Sequence, residues 1–207
     1  MPWVKVEWRE FVLMAINAES DLYILAWQRV KQLTNAELLC FVRSKNALVR
    51  DLVIREFHVR PSRDVLEIAL SLLHEKKAIA RAAGYLILGQ LGSPDRPFRD
   101  DSMPPILRGI ESEKSPSVRC AIAYAIGHLV PPRPFHEQII GGLLRFLDAK
   151  EKSLSVSIAF AIAGLSLSDR LDQLMKRLLA DGDQDVREWV EISLESIKER
   201  EEGPGSE

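Results

Sequence analysis

Apolar residues recur three and four positions apart along most of the chain, interrupted by short polar or proline-containing breaks. That spacing puts the apolar side chains on one face of an α-helix, whereas a strand alternates every second residue. The pattern is clearest from Ser115 to Val130. There Val118, Ile122, Ala125, Ile126 and Leu129 share a face, Ser115-Pro116 opens the stretch and Pro131-Pro132 closes it. Serine caps helices and proline is tolerated in their first turn. The helix also carries small residues, Ala121, Ala123, Ala125 and Gly127. A helix with so little bulk can be buried only against close neighbours of the same kind.

The rest of the chain supplies them. The spacing predicts helices over Phe11–Ala18 and Asp21–Leu33, with Ser20 as N-cap of the second. Thr34 with Glu37 three residues later reads as a capping box, leading a short helix through Leu38, Leu39, Phe41 and Val42. Helices follow over Ala47–Val59, Ser62–His74, Ala78–Leu91, Ile106–Glu111 and Ser117–Leu129, then over 135–148, 154–166, 169–180 and 184–198. Two loops, Gly92–Pro105 and Pro131–Pro134, separate them. Residues 3–8 alternate weakly, over too short a run to define a strand. The segment 199–207 is acidic, contains glycine and proline and lacks apolar residues, so it is expected to be disordered.

The helices form copies of a two-helix unit. The second helix of each pair opens with a similar dipeptide: Val49-Arg50, Ala80-Arg81, Val118-Arg119, Val156-Ser157 and Val186-Arg187, at intervals of 31, 38, 38 and 30 residues. Matching small-apolar strings follow, Ile87-Leu88-Gly89-Gln90-Leu91, Ala125-Ile126-Gly127-His128-Leu129 and Ala161-Ile162-Ala163-Gly164-Leu165. A two-helix period in the thirties predicts an α-solenoid, in which each pair buries its face on its neighbours.

Ala36 to Ile197 resembles HEAT repeats in this pairing of a Val-Arg-type start with an Ala-Leu-Gly-type string. The resemblance implies a right-handed stack with first helices on the convex side and second helices lining the concave side. The fold expected is therefore all-α, a right-handed α-solenoid of about five HEAT-like pairs. It would form one domain over 1–198, with cap helices over 1–33 and repeats over 34–198. In such a stack the repeated arginine joins a ladder with acidic side chains of adjacent turns, Asp183 being one candidate.

Composition narrows the function classes. The 207 residues carry a formal net charge of -2, which argues against a dedicated nucleic-acid binder with its basic excess. Cys40 and Cys120 are too few and too far apart for a disulfide framework or a zinc cluster, and both are expected to be buried thiols in a reducing compartment. The N-terminus lacks a basic region followed by an apolar core, and no apolar run approaches the ~20 residues of a membrane span. A cytoplasmic protein is expected, with no membrane and no nucleic acid as partner.

Candidate chemistry is sparse. His74-Glu75 and His136-Glu137 are two His-Glu pairs where iron-holding HEAT-repeat hydroxylases resemble a set of four, and they sit at different places in their helices; no metal site is expected. Cys120, Tyr124 and His128 form a stripe at four-residue spacing, but eight residues of helix separate the two Cα atoms of Cys120 and His128 by about 12 Å, too far for a catalytic pair. The stripe is either a binding surface on the concave wall or an inter-helix seam. Compared with HEAT-like alkylpurine glycosylases, the second helices offer Arg55 but few cations outside the repeated position, and the last carries Glu188, Glu191 and Glu195, which would repel phosphate. Both loops contain Arg-Pro-Phe, Arg96-Pro97-Phe98 and Arg133-Pro134-Phe135, and should emerge on one edge. Each phenylalanine there is either part of a binding edge or a staple on the following helix.

Lys31–Leu39, Asn46-Ala-Leu-Val-Arg50 and Ala80-Arg-Ala-Ala-Gly-Tyr-Leu-Ile-Leu-Gly-Gln-Leu91 together resemble the start of YibA-type bacterial HEAT-repeat proteins. The N-terminal thirty or so residues, the smaller repeat number and Ser157 depart from that pattern. The resemblance implies an immunity protein, encoded beside an Rhs-type polymorphic toxin, that is not an enzyme and needs no cofactor. Its expected partner is a cognate toxin effector domain, covered by steric occlusion. The candidate contact residues are Arg55, Gln90, Arg96, Phe98, Tyr124, His128, Arg133, Glu188 and Trp189, with the aromatic and arginine side chains as anchors. The alternatives are a general HEAT-repeat adaptor or assembly factor and, further off, a HEAT-like DNA glycosylase or lyase.

Overall fold

The computed structural model describes residues 23–148, 152–180 and 182–202, and these are all-α. The chain divides between Glu56 and Phe57 into two compact units. The expected helix at Phe11–Ala18, the Ser20 cap, the alternation at 3–8 and residues 203–207 lie outside the described residues.

In the first unit, α1 covers 23–30 and α2 covers Asn35–Phe41. The capping box forms: Thr34 Oγ1 accepts from the Glu37 amide at 3.3 Å and the Thr34 amide donates to Glu37 Oε2 at 2.7 Å. Leu38 and Val42, one turn apart, are buried. Cys40 is exposed rather than buried, because two residues of helix rotate it about 200° from Leu38, onto the opposite face. Helix α3, Ala47–His58, runs from the first unit into the second.

The second unit continues with α4 (Arg63–Leu72), α5 (Ala78–Gln90), α6 (Arg99–Ser112) and α7 (Pro116–Leu129). After a 3-10 turn at Arg133–Phe135 come α8 (His136–Leu147), α9 (Lys152–Ala161), a second 3-10 turn at Ile162–Gly164, α10 (Asp169–Leu179) and α11 (Gln184–Glu202). They form two layers. Helices α5, α7, α9 and α11 pack successively side by side, α6, α8 and α10 form the second row, and each helix of that row also packs on the helix that follows it. The core between the rows is apolar and mostly aliphatic, with Ile87, Ile106, Ile122, Ile139 and the ring of Phe146 almost wholly buried. Glycines set the spacing within the first row. A Cβ on Gly89 would lie 2.5 Å from the Cα of Ala125, and one on Gly127 2.5 Å from the Phe160 ring.

The expected ladder arginines tie loops to helices, with the same geometry three times. Arg50 Nη1 donates to the Ser44 carbonyl at 2.7 Å, Arg81 Nη1 to the Glu75 carbonyl at 3.0 Å and Arg119 Nε to the Glu113 carbonyl at 2.9 Å. Each reaches back six residues to the end of the preceding helix or its turn, where carbonyls lack a helical donor. Arg81 also grips Glu113 through Nε and Nη2, at 2.9 and 3.1 Å.

Four expectations change. Helix α6 starts at Arg99, so half of the expected Gly92–Pro105 loop is helical. Asp100 and Asp101 favour the positive helix start, and Met103 joins Ile106 and Ile110 in the core. Pro104 and Pro105 lie inside the helix; the carbonyls they leave without a helical donor belong to exposed residues, Asp100 and Asp101. Ser115 occupies the N-cap of α7 but makes no side-chain cap bond, its hydroxyl lying 3.1 Å from that of Ser117. In the fourth copy Leu154 and Ser155, not Val156 and Ser157, take the Val-Arg position, since Leu154, Ile158, Ala159, Ala161 and Ile162 repeat the burial of Val118, Ile122, Ala123, Ala125 and Ile126. The intervals around that copy are therefore 36 and 32 residues. Finally, α11 extends through Glu202, four residues beyond 198.

Candidate functional site

The corrected register brings three of the expected residues together. Tyr124 and Phe160 occupy equivalent positions on α7 and α9, and their ring centroids lie 5.7 Å apart. His128, one turn beyond Tyr124, meets the Phe160 ring edge-on at 4.9 Å. Trp189 on α11 closes the row, perpendicular to Phe160 at 5.3 Å. Tilted and edge-to-face contacts at these distances are favourable. Phe160 is thus the hub of an aromatic ridge across three successive helices. It is absent from the sequence-based candidates, because the misplaced fourth copy hid its equivalence to Tyr124. The offset of 36 residues between the small-apolar strings carried the signal.

The ridge is half-open to solvent. Tyr124 is 36% exposed, Trp189 37% and Ile192, beside them on α11, 53%. Burial raises the Tyr124 hydroxyl above its usual range, with Cys120 adding to the shift. Burial, reinforced by the positive charge of Arg96, lowers the His128 imidazole below its usual value. The centre of the ridge therefore presents neutral, amphipathic rings at physiological pH. Cys120 is half-buried, with its thiol 3.8 Å from the Ser153 hydroxyl.

Charge increases toward α11. Glu188 accepts from Gln184 Nε2 at 2.9 Å, and Glu191, Ile192, Glu195 and Lys198 follow it at helical spacing along the same helix. Gln90, the last residue of α5, holds the register of His128 one copy earlier and is half-buried.

The remaining candidates sit elsewhere. Arg55 belongs to the first unit, where it is exposed and its guanidinium lies 5.9 and 6.0 Å from the Tyr23 and Trp27 rings. Phe98 and Phe135 both occupy N-cap positions, of α6 and α8, half-buried and without side-chain cap bonds. Arg96 holds a left-handed φ of 47° in the loop before α6. The two Arg-Pro-Phe loops adjoin, since Arg99, directly after the first, donates through Nη2 to the carbonyl of Val130. Arg133 is exposed and lines a cleft of about 180 Å³ with Arg99 and His136.

His136 has a structural task in place of the metal role weighed for it. Its Nδ1 accepts the Ser166 amide at 3.0 Å, which leaves Nε2 to donate to the Pro131 carbonyl at 2.8 Å. The buried ring bridges two loops. Among the described residues no group of His, Cys, Asp and Glu has the arrangement of a metal site, and no helix there is long and apolar enough to cross a membrane.

No protein-family model matches the chain. It is similar to Protein YibA of Escherichia coli K12, with 26% identity over 170 residues covering 81% of this chain and 60% of YibA, and equally to YibA of E. coli O157:H7. The chain thus spans less than two thirds of the length of these relatives. The crystal structure of E. coli YibA superposes with a TM-score of 0.67 at 22% identity, covering 87% of this chain and 63% of that one. The two share an all-helical fold.

Proposed function

We propose that this chain is a non-catalytic protein-binding module, a right-handed HEAT-like α-solenoid whose second helices form the binding wall. The observation that carries the reading is the continuous ridge of Tyr124, His128, Phe160 and Trp189 on three successive helices. Half-exposed aromatic side chains held rigid by one another supply large contact area with little entropy left to lose, the usual make-up of an interface anchor. The carboxylates of Glu188, Glu191 and Glu195 beside it favour a basic partner.

Within that class the reading is an immunity protein that binds a cognate toxin domain in the cytoplasm and covers its active site. Its support is the likeness to YibA and the match between an acidic, aromatic wall and a basic toxin such as a nuclease. Co-expression with the effector encoded beside its gene tests it. Rescue of growth and co-purification of the two chains are expected. An effector that still kills and does not co-purify would overturn the immunity reading, and recovery of a housekeeping assembly on the same wall would point to an adaptor.

A further inference from the structure

The cleft beside Arg133 is formed by the starts of α6 and α8, the loop after α7, and the second 3-10 turn with the two residues after it. Arg99 and Arg133 line it with His136, and Val130, Pro131, Gly164, Leu165 and Ser166 complete its walls. The imidazole is neutral and occupied at both nitrogens, so the charge in the cleft comes from the two guanidiniums. Neither makes an ion pair among the described residues, and Arg99 Nε is buried without a hydrogen-bond partner. Of the acids within two residues of its lining in sequence, Asp101 is paired with Arg63 at 2.9 Å, Glu137 with Arg170 at 3.4 Å, and Asp100 is exposed. Val130, an apolar lining residue, is 39% exposed. Val130 also holds a left-handed φ of 48°, costly for a β-branched residue and the kind of strain that collects at binding sites.

Arg99 is bonded through Nη2 to the Val130 carbonyl, but neither guanidinium has a carboxylate partner among the described residues; two such groups in a concavity match an oxyanion, and their planar forks suit a carboxylate. At ~30 Å³ per water the space holds about six waters, enough for a carboxylate and the first atoms attached to it. The exposed Val130 would then meet an apolar group on the same ligand. We propose that the Arg99–Arg133 cleft binds a carboxylate that carries an apolar group beside its charge, either an acidic side chain in a peptide or a free short-chain acid. This does not depend on the ridge being the partner wall.

The test is NMR titration of the full chain with acetyl-Leu-Glu-Leu-amide, 4-methylvalerate, the neutral acetyl-Leu-Gln-Leu-amide and inorganic phosphate. Saturable shifts at the Ser166 and His136 amides are expected with a carboxylate probe and not with the glutamine peptide. The Arg133→Gln variant should bind that probe about tenfold more weakly, Arg133→Lys should fall between, and Trp189→Ala should bind it unchanged. Arg133 is exposed, so an unaltered melting temperature accompanies its replacement. Tighter binding of the peptide than of 4-methylvalerate identifies a protein ligand, and the reverse a free acid; either supports the site. Equal binding of the glutamine peptide, tighter binding of phosphate than of both carboxylates, no shifts with either carboxylate, or no effect of Arg133→Gln overturns it.

Discussion

Glu113 serves two arginines at once. Its carboxylate takes the fork of Arg81, its carbonyl takes Nε of Arg119, and the amides of Lys114 and Ser115 also reach the carboxylate. Burial alone would raise its pKa; the Arg81 guanidinium and the two amides outweigh it and hold the group below its ordinary value of 4.5. A carboxyl with a depressed native pKa stabilises the fold above its unfolded pKa, and the contribution disappears as pH falls through the native one. Replacing Glu113 by Gln should cost about 1–2 kcal/mol at pH 7, the scale of a charge-assisted bond lost from a partly buried site. Urea unfolding of both proteins from pH 7 down to pH 3 checks this: the gap should close below about pH 4, and a gap constant over that range would mean the ion pair is not its source.

At the scale of elements, helix spacing within the first row depends on contacts that only glycine allows. A valine at Gly89 would drive its Cβ into the backbone of Ala125, which cannot rotate away. Gly89→Val should destabilise the protein by about 2–3 kcal/mol, toward the upper end of overpacking costs, measured as a lower urea midpoint with circular dichroism unchanged before the transition. This scale also separates what was legible in the sequence from what was not. Caps and apolar periodicity located nine of the helices, from α2 to α11 apart from α6, to within a few residues, since those signals are local. The start of α6 was obscured because Pro104-Pro105 reads as a break, while Asp100, Asp101 and Met103 were the residues that chose helix. The fourth copy was misread because Val156-Ser157 imitates the repeated dipeptide two residues late. Burial, which belongs to packing, decides for Leu154-Ser155. Phe160 was lost with that register and the ridge with Phe160, although Tyr124, His128 and Trp189 were individually visible as candidates.

At the scale of the molecule, the ridge and the acidic helix beside it make a surface that is apolar at one end and negative at the other. If it is the wall a partner occupies, Trp189→Ala should weaken binding by about 2 kcal/mol, roughly thirtyfold. Because Trp189 is 37% exposed, thermal stability should change little. Surface plasmon resonance against the co-purified partner measures the first and a thermal melt the second; an unchanged affinity would move the interface off the ridge.

The arginines that reach back six residues have a consequence for how the chain comes together. Each closes its helical hairpin with a bond whose ends are nearly adjacent in sequence, and in the second unit the extensive helix contacts join an element to the next or the next but one. Little loop entropy is spent before such contacts form, and topologies dominated by near neighbours fold fast. A hairpin emerging from the ribosome could therefore lock its own turn before the following one is synthesised. The growing chain would add to a finished edge instead of waiting for its far end.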